Sequence, residues 1–416
     1  MTPIFRLGFT GSVFVFLTSV VFTSAAGGAG FALMNQGTAA MAQGNAFVAE
    51  ASDASAIFYN PAGLTQLTRP QFYLGAFLIY PDREYEGNGT SAQTNHRLYR
   101  AASVYFTLPV HSRVTLGLGA FAPFGLGTVW PPQWEGRYIT TWTKLQTYNL
   151  NPVVAVKVLD NLSFAAGFDV LWSAVRIKRK VRALVFEGET DLGGEGTGFG
   201  YNLAALYEPL AGVKLGVNFR SEISVKHKGD MDLTLPLPIL SSKTPGSAHL
   251  TYPPAVTFGV SYARLQPFTF EFDATWTGWS SYDELRVDFD RPPLAGLPTS
   301  LIQAKNWKDV WAFRFGANYE VWEGFKLRAG YIYDLNPVPD DTFDPMLPDS
   351  DRHVFAVGLD YKIRRFTLGA AYNYILVESR TKNNTLSTNL GPFPQQANGK
   401  YKSDVHCLGL SMNFQF

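Results

Sequence analysis

Residues 307–321 read Trp-Lys-Asp-Val-Trp-Ala-Phe-Arg-Phe-Gly-Ala-Asn-Tyr-Glu-Val, and from Trp311 onward every second residue is apolar and the ones between are mostly polar or small. Trp307, Trp311, Phe313, Phe315, Ala317, Tyr319 and Val321 share one face, and Lys308, Arg314, Gly316, Asn318 and Glu320 share the other. Successive side chains of a strand point to opposite sides, so this strand is greasy on one face and polar or small on the other. Strands of soluble proteins average only about five or six residues. A strand this long with one oily face fits the wall of a membrane barrel, lipid outside and water or a polar plug inside. An antiparallel sandwich alternates too, but its strands rarely run so far.

The same pattern predicts fourteen strands, over 71–80, 97–109, 112–122, 143–158, 162–180, 197–208, 213–228, 249–264, 267–279, 307–322, 325–334, 352–362, 365–379 and 402–416. Six connections are tight and seven are long (81–96, 123–142, 181–196, 229–248, 280–306, 335–351 and 380–401), in strict alternation. Up-and-down membrane barrels have short periplasmic turns and long outer loops, so both chain ends fall on the periplasmic side. The expected fold is all-β, a 14-stranded antiparallel transmembrane β-barrel over 71–416 with an N-terminal hatch in its lumen.

Residues 27–70 do not read as wall. They are rich in Ala, Gly, Asn and Gln, with short helix-like stretches at Thr38 to Gln43 and Pro61 to Gln66. A fourteen-strand lumen is too wide for wall side chains to fill. The apolar content of this segment (Phe31, Leu33, Met34, Phe47, Ile57, Phe58, Leu64) suits an internal plug better than a disordered arm. Residues 1–26 read as a cleaved signal peptide: Arg6, an apolar stretch from Leu7 to Phe22, then small residues at Ser24-Ala25-Ala26. The apolar stretch is short for a spanning helix and has no second like it. Export without helical spans points to the outer membrane of a Gram-negative cell.

Composition excludes more than it assigns. A net charge of +1 gives no basis for nucleic-acid binding. One cysteine, Cys407, forbids an internal disulfide. Gly-x-Ser-x-Gly, phosphate-loop and His-Glu-x-x-His motifs are missing, and Ser411 and His406 fall on opposite faces of the last strand, so no catalytic residues are assigned and no enzyme is expected. Asp340, Asp341, Asp344, Asp349 and Asp351 share a loop but lack the spacing of a calcium-binding loop. No metal or cofactor is expected.

Three segments carry a family resemblance. The plug reads Gly30-Phe31-Ala32-Leu33-Met34-Asn35-Gln36, Gly44-Asn45-Ala46-Phe47 and Asp53-Ala54-Ser55-Ala56-Ile57-Phe58-Tyr59-Asn60-Pro61-Ala62-Gly63-Leu64. Ala122-Pro123-Phe124-Gly125-Leu126-Gly127-Thr128 with Trp134-Glu135-Gly136-Arg137-Tyr138 follows, then Tyr148-Asn149-Leu150-Asn151-Pro152-Val153-Val154-Ala155. The chain ends on Phe416, as outer-membrane barrels do. In these segments the chain resembles the FadL-like family, outer-membrane transporters of long-chain fatty acids and of aromatic hydrocarbons. The resemblance implies passive movement of a hydrophobic solute. The solute is captured in an apolar groove among the outer loops, passes to an interior pocket, and leaves through a gap in the wall once the hatch shifts. Asn60, Pro61, Ala62 and Gly63 are the candidate hatch and gating residues.

The outer loops are greasy in their own right: Trp130 and Trp134 in one, Leu233, Leu235, Leu237 and Ile239 in another. Exposed apolar loops suit an apolar ligand, or pack on one another as a lid. Arg137 and Lys144 lie beside the aromatic loop, where Arg137 either clamps a carboxylate or pairs with an acid such as Glu135. The candidate ligand-binding set is Trp130, Trp134, Arg137, Leu233, Leu235, Leu237, Ile239 and Phe31. Inward-facing Arg314, Glu320, Lys326, Arg328 and Asp360 are candidate plug holders or solvated lumen residues. The basic run Arg176, Lys178, Arg179, Lys180 and Arg182 faces lipid phosphates or water. The expected partners are a hydrophobic small molecule (a long-chain fatty acid first, an aromatic hydrocarbon second) and outer-membrane lipids including lipopolysaccharide. The barrel is expected to be a monomer, and a general diffusion porin is the rival reading.

Overall fold

The computed structural model describes residues 28–183, 186–294 and 296–416; the expected signal peptide lies outside the described residues. Fourteen strands form one closed antiparallel wall. They are β1 (Gln71–Gly87), β2 (Tyr99–His111), β3 (Val114–Phe121, with an outer piece Gly125–Val129), β4 (Trp142–Leu159), β5 (Leu162–Ala183) and β6 (Phe186–Leu210). Next come β7 (Val213–Arg220 and Ile223–Thr234), β8 (Ser242–Tyr252 and Ala255–Leu265) and β9 (Phe268–Thr277, continued by Glu284–Phe289). Ser300–Ala304 leads into β10 (Val310–Trp322), followed by β11 (Phe325–Asp334), β12 (Arg352–Ile363), β13 (Phe366–Lys382) and β14 (Gly399–Gln415). Each strand pairs with its sequence neighbours, and β14 closes on β1 in a register running from Gln71 opposite Gln415 to Glu86 opposite Lys400. Closure pairs the first strand with the last, so the sheet has no terminal edge in the bilayer.

The period-2 pattern sets which side is oily. In β10, Trp311, Phe315 and Tyr319 are exposed on the outer surface while Arg314 and Asn318 are buried inside. In β14, His406, Leu408 and Leu410 face out, and Cys407 and Asn413 face in. Trp307 departs from the expectation. The strand starts only at Val310, and the Trp307 ring turns into the lumen against Phe31, Trp279 and Tyr282.

A second departure is the expected outer loop at 181–196, whose described residues, 181–183 and 186–196, are wall. β5 and β6 continue as a ribbon to Ala183 and Phe186, because Arg176 and Lys178 pair with Asp191, and Lys180 with Glu189, across the strands. Such cross-strand ion pairs stabilise a ladder. The basic run is therefore largely neutralised rather than presented to phosphate.

The wall is broken at two places. β3 stops at Phe121 and resumes at Gly125, and Ala122 to Phe124 turn inward. On the other side, β7, β8 and β9 are interrupted at one level, at 221–222, Pro253-Pro254 and Gly278. Prolines have no N–H for the ladder. Backbone bonds from Ser221 N to Tyr201 O and from Gly278 N to Pro254 O cross that seam, although β6 and β7 are not paired in register between Asn202 opposite Arg220 and Glu195 opposite Lys228.

Leu410 lies in the middle of the oily band of β14. Leu410→Arg is expected to destabilise the barrel by about 2–4 kcal/mol in lipid vesicles, as read by denaturant unfolding, because a cation at the bilayer midplane is poorly solvated.

Candidate functional site

Residues 28–70 lie inside the ring. They form α1 (Thr38–Ala42), α2 (Ala56–Tyr59) and a 3-10 turn at Pro61–Gln66, joined by irregular chain. Irregular backbone leaves donors and acceptors unpaired, and burying them unsatisfied costs about 1–3 kcal/mol each. The wall supplies the partners. Asp273 Oδ2 accepts from the N–H groups of Phe47 (2.9 Å) and Val48 (3.1 Å). Glu271 accepts from Ala49 (2.7 Å) and Glu50 (2.8 Å), so two carboxylates on β9 hold four successive amides. Arg220 donates to the carbonyls of Ile57 and Phe58, each at 3.1 Å. Ser103 and Tyr105 donate to the Gln36 carbonyl.

One buried ion-pair network completes the clamp. Arg328 reaches Glu50 at 3.2 Å, Gln43 at 2.5 Å and Asp360 at 2.6 Å, and Asn318 donates to Glu50 at 2.9 Å. Burial opposes ionisation of Glu50, but Arg328, with Lys326 behind it, outweighs burial and holds the carboxyl below its ordinary value. Close approach needs glycine on the wall: a Cβ at Gly330 would overlap the Gln43 backbone, and one at Gly216 the Val48 backbone. Asn60 caps the 3-10 turn, accepting from Ala62 N–H at 3.0 Å, and donates to Val48 O (2.7 Å) and, across to the wall, Ala205 O (3.0 Å). Pro61 stands first in that turn; Ala62 and Gly63 are buried, and a Cβ on Gly63 would overlap Ala51.

Above this segment sits an aromatic floor. Phe31 meets Trp279 at 4.7 Å, Trp307 at 5.5 Å, Tyr282 at 5.8 Å, and Tyr252 and Phe124 at 6.0 Å between ring centroids. Its backbone is tied to the β3 break: Leu33 N donates to Pro123 O, and Gly125 N to Phe31 O. Over the floor opens a cleft of about 1010 Å³, mouth included, lined by Leu126, Leu145, Val175, Ile177, Leu250, Val287, Val338 and Leu347 among others. Beneath Phe31 lies an inner chamber of about 870 Å³, bordered by Met34, Phe58, Phe124, Pro253 and Arg314. Loop 335–351 folds into the ring mouth, where Asp349 accepts from Gly30 N at 2.7 Å, and Asp334, the last residue of β11, accepts from Ala29 N at 2.7 Å.

Of the sequence-predicted ligand residues, Phe31 alone lines this cleft. Trp130 and Trp134 stack on each other at 4.3 Å inside the loop cap, with their indole N–H groups donating to Pro345 O and Thr140 O. Arg137 is committed to Glu187 (3.1 Å) and Gln395 (2.7 Å) rather than to Glu135. Glu135 instead accepts from Tyr85, Asn88 and Thr90. Leu233 lines a separate groove among the outer loops with Met231, Phe289, Leu294, Leu301 and Phe393. Leu235 is buried, and Leu237 and Ile239 protrude, the latter 91% exposed. Lys144 points outward, and Glu320 and Lys326 approach each other at 3.7 Å. The loop aspartates are dispersed among separate partners, and no metal-holding cluster occurs among the described residues.

Residues 19–416 match the model of the outer membrane protein transport protein (OMPP1/FadL/TodX) family. The chain belongs to that family. The long-chain fatty acid transport protein of Salmonella typhi is 25% identical over 98% of this chain and 99% of its own length. A Pseudomonas aeruginosa FadL homologue shares the fold at a TM-score of 0.83 and 21% identity, covering 93% of this chain and 100% of that one. The toluene transporter TodX of P. putida does so at 0.73 and 17%, covering 92% and 99%. This FadL-family chain is thus an outer-membrane β-barrel, and its family transports hydrophobic substrates.

The sequence reading of this FadL-family protein missed Glu271, Asp273 and Arg220. A signal was present, since Phe268-Thr-Phe-Glu-Phe-Asp places both acids on the face opposite three phenylalanines. Replacing both acids by alanine is expected to speed amide hydrogen exchange at residues 47–50 by roughly tenfold to a hundredfold, leaving β9 itself protected. Unchanged exchange there means that the clamp does not hold the segment.

Proposed function

We propose that this FadL-family barrel admits hydrophobic molecules across the outer membrane by passive diffusion gated by the hatch, residues 27–70. The observation that carries this reading is that Phe31 lines the apolar cleft while Ala32 and Phe124 beside it line the inner chamber. The loop groove around Leu233 and Phe393 captures the solute. The cleft desolvates its apolar body, at about 25 cal/mol for each Å² removed from water. Displacing Phe31 joins cleft to chamber. Long-chain fatty acids and aromatic hydrocarbons both present such a body, in keeping with what the Salmonella and P. putida relatives are named for.

The way out is the β3 break. Beyond Val104 opposite Ala120, β2 has no β3 partner, and the outer piece of β3 pairs only with β4. Over most of its length the interval is filled by side chains, with the Tyr99 ring on Gly127 and Arg83 donating to Gly127 O at 2.9 Å, and one backbone bond, Asn95 N to Val129 O at 2.9 Å, crosses its outer end. Side chains change rotamer far more readily than a ladder of backbone bonds opens. Because Phe31 and Leu33 hold the inturned residues 123–125, the hatch and this gap move together. Lipids of the outer leaflet, lipopolysaccharide included, surround a barrel that works as a monomer, its ring complete without a partner.

Cells carrying this barrel alone are expected to take up radiolabelled oleate or toluene, and planar bilayers to show no large steady conductance; a large one with no uptake makes it a porin. Thr38 and Ser411 hydroxyls meet at 2.5 Å between hatch and wall. Oxidising a Thr38→Cys/Ser411→Cys pair is expected to reduce uptake, and reduction to restore it. Full uptake by the cross-linked protein removes hatch movement from the mechanism.

A further inference from the structure

The cleft contains one buried charge pair. Lys305 and Asp344 form a salt bridge with side chains only 4% and 6% exposed. The pair is built in. Asp344 also accepts from Met346 N at 2.8 Å and from Gln303 Nε2 at 3.3 Å, while the Lys305 carbonyl accepts from Thr342 and its N–H donates to Asp283 O. Burial disfavours the Lys305 ammonium, but Asp344 outweighs it, and the amine titrates above its ordinary value. The remaining ionisable lining residues do not offer a cation. Lys144 and His249 project outward, and His227 is held by Ser173 at 2.7 Å. Arg179 and Lys382 do not border the cleft: Arg179 lies in the loop groove over the Phe393 ring, and Lys382 donates to Asn398 and Asn384.

A carboxylate leaving water for an apolar cavity loses several kcal/mol of hydration unless a cation matches it. Here Lys305 is already matched. An incoming anion meets Asp344 as closely as Lys305, and displacing Asp344 would strand that carboxylate in turn. An alcohol or hydrocarbon chain meets no such penalty. We propose, taking the cleft as the ligand chamber argued above, that Asp344 is a specificity-determining residue. By neutralising Lys305 it makes the cleft select uncharged apolar solutes and reject ionised amphiphiles of either sign, so that a fatty acid enters it as the neutral acid and leaves its charge in water.

The test compares three ligands of one chain length, 1-octanol, octanoate and octylammonium, by calorimetry at pH 7 on the purified full barrel in a sugar-headed, uncharged detergent. Wild-type protein is expected to bind octanol about tenfold or more tighter than either ion, with the two ions alike within about threefold. Asp344→Asn exposes Lys305 and is expected to strengthen octanoate by about tenfold or more, leaving octanol within about threefold and octylammonium no better. Comparing variant with wild type for one ligand cancels its partition into micelles. Wild-type protein that binds octanoate as tightly as octanol, or tenfold better than octylammonium, overturns the proposal even where the variant does not fold. So does a folded Asp344→Asn protein with unchanged octanoate affinity. Binding of none of the three overturns the ligand-chamber reading itself, and the selectivity with it.

Discussion

A buried irregular backbone must have its hydrogen bonds met, and everything else in this barrel follows from how that is done. A fourteen-strand ring encloses more space than its own side chains fill. The N-terminal segment occupies it without regular structure long enough to satisfy itself. Carboxylates at Glu271 and Asp273, guanidinium groups at Arg220 and Arg328, and hydroxyls at Ser103 and Tyr105 turn the inner wall into a set of partners for one chain path. The polar face of each strand is therefore not merely wetted; it is written to match the segment it encloses.

That matching explains where the structure is rigid and where it is yielding. Between Phe47 and Gln66 the segment is fastened to β6, β7, β9, β10 and β11. Around Phe31 it rests on rings, on a few backbone bonds to the β3 break, and on Asp334 and Asp349, which accept from Ala29 N and Gly30 N. Aromatic contacts contribute about 0.5–1.5 kcal/mol each and are shared among several partners, so one ring can leave while its neighbours close up. The densely bonded part fills the bore, and the part around Phe31 lies between the two cavities. Asn45 and Ala51 hold left-handed backbone conformations in or next to the former, a local cost that the wall contacts offset.

The wall was legible in the chain because its rule is local. Alternation from Trp311 to Tyr319 or from His406 to Phe414 is visible residue by residue, and all fourteen strands fall close to where the pattern places them. The ribbon beyond Lys180 was not, since its partner strand, expected to begin only at 197, is held by Asp191 meeting Arg176 and Glu189 meeting Lys180 across the pair. Trp307 escaped for a related reason: three residues before a strand begins, period two no longer governs direction. The pairing of Lys305 with Asp344 joins two loops far apart in sequence, and nothing local in either marks it. Arg137 looked available beside its aromatic loop, and only the fold shows Glu187 and Gln395 already there.

The seam between β1 and β14 joins residue 71 to residue 415, the two ends of the barrel. Bringing together positions of such separation carries the entropy of a very large loop. Thr38 of the interior segment bonds Tyr73 on β1 and Ser411 on β14, so it straddles this seam. Sealing the cylinder and seating what it encloses are therefore thermodynamically coupled: a substitution that loosens either is felt by the other.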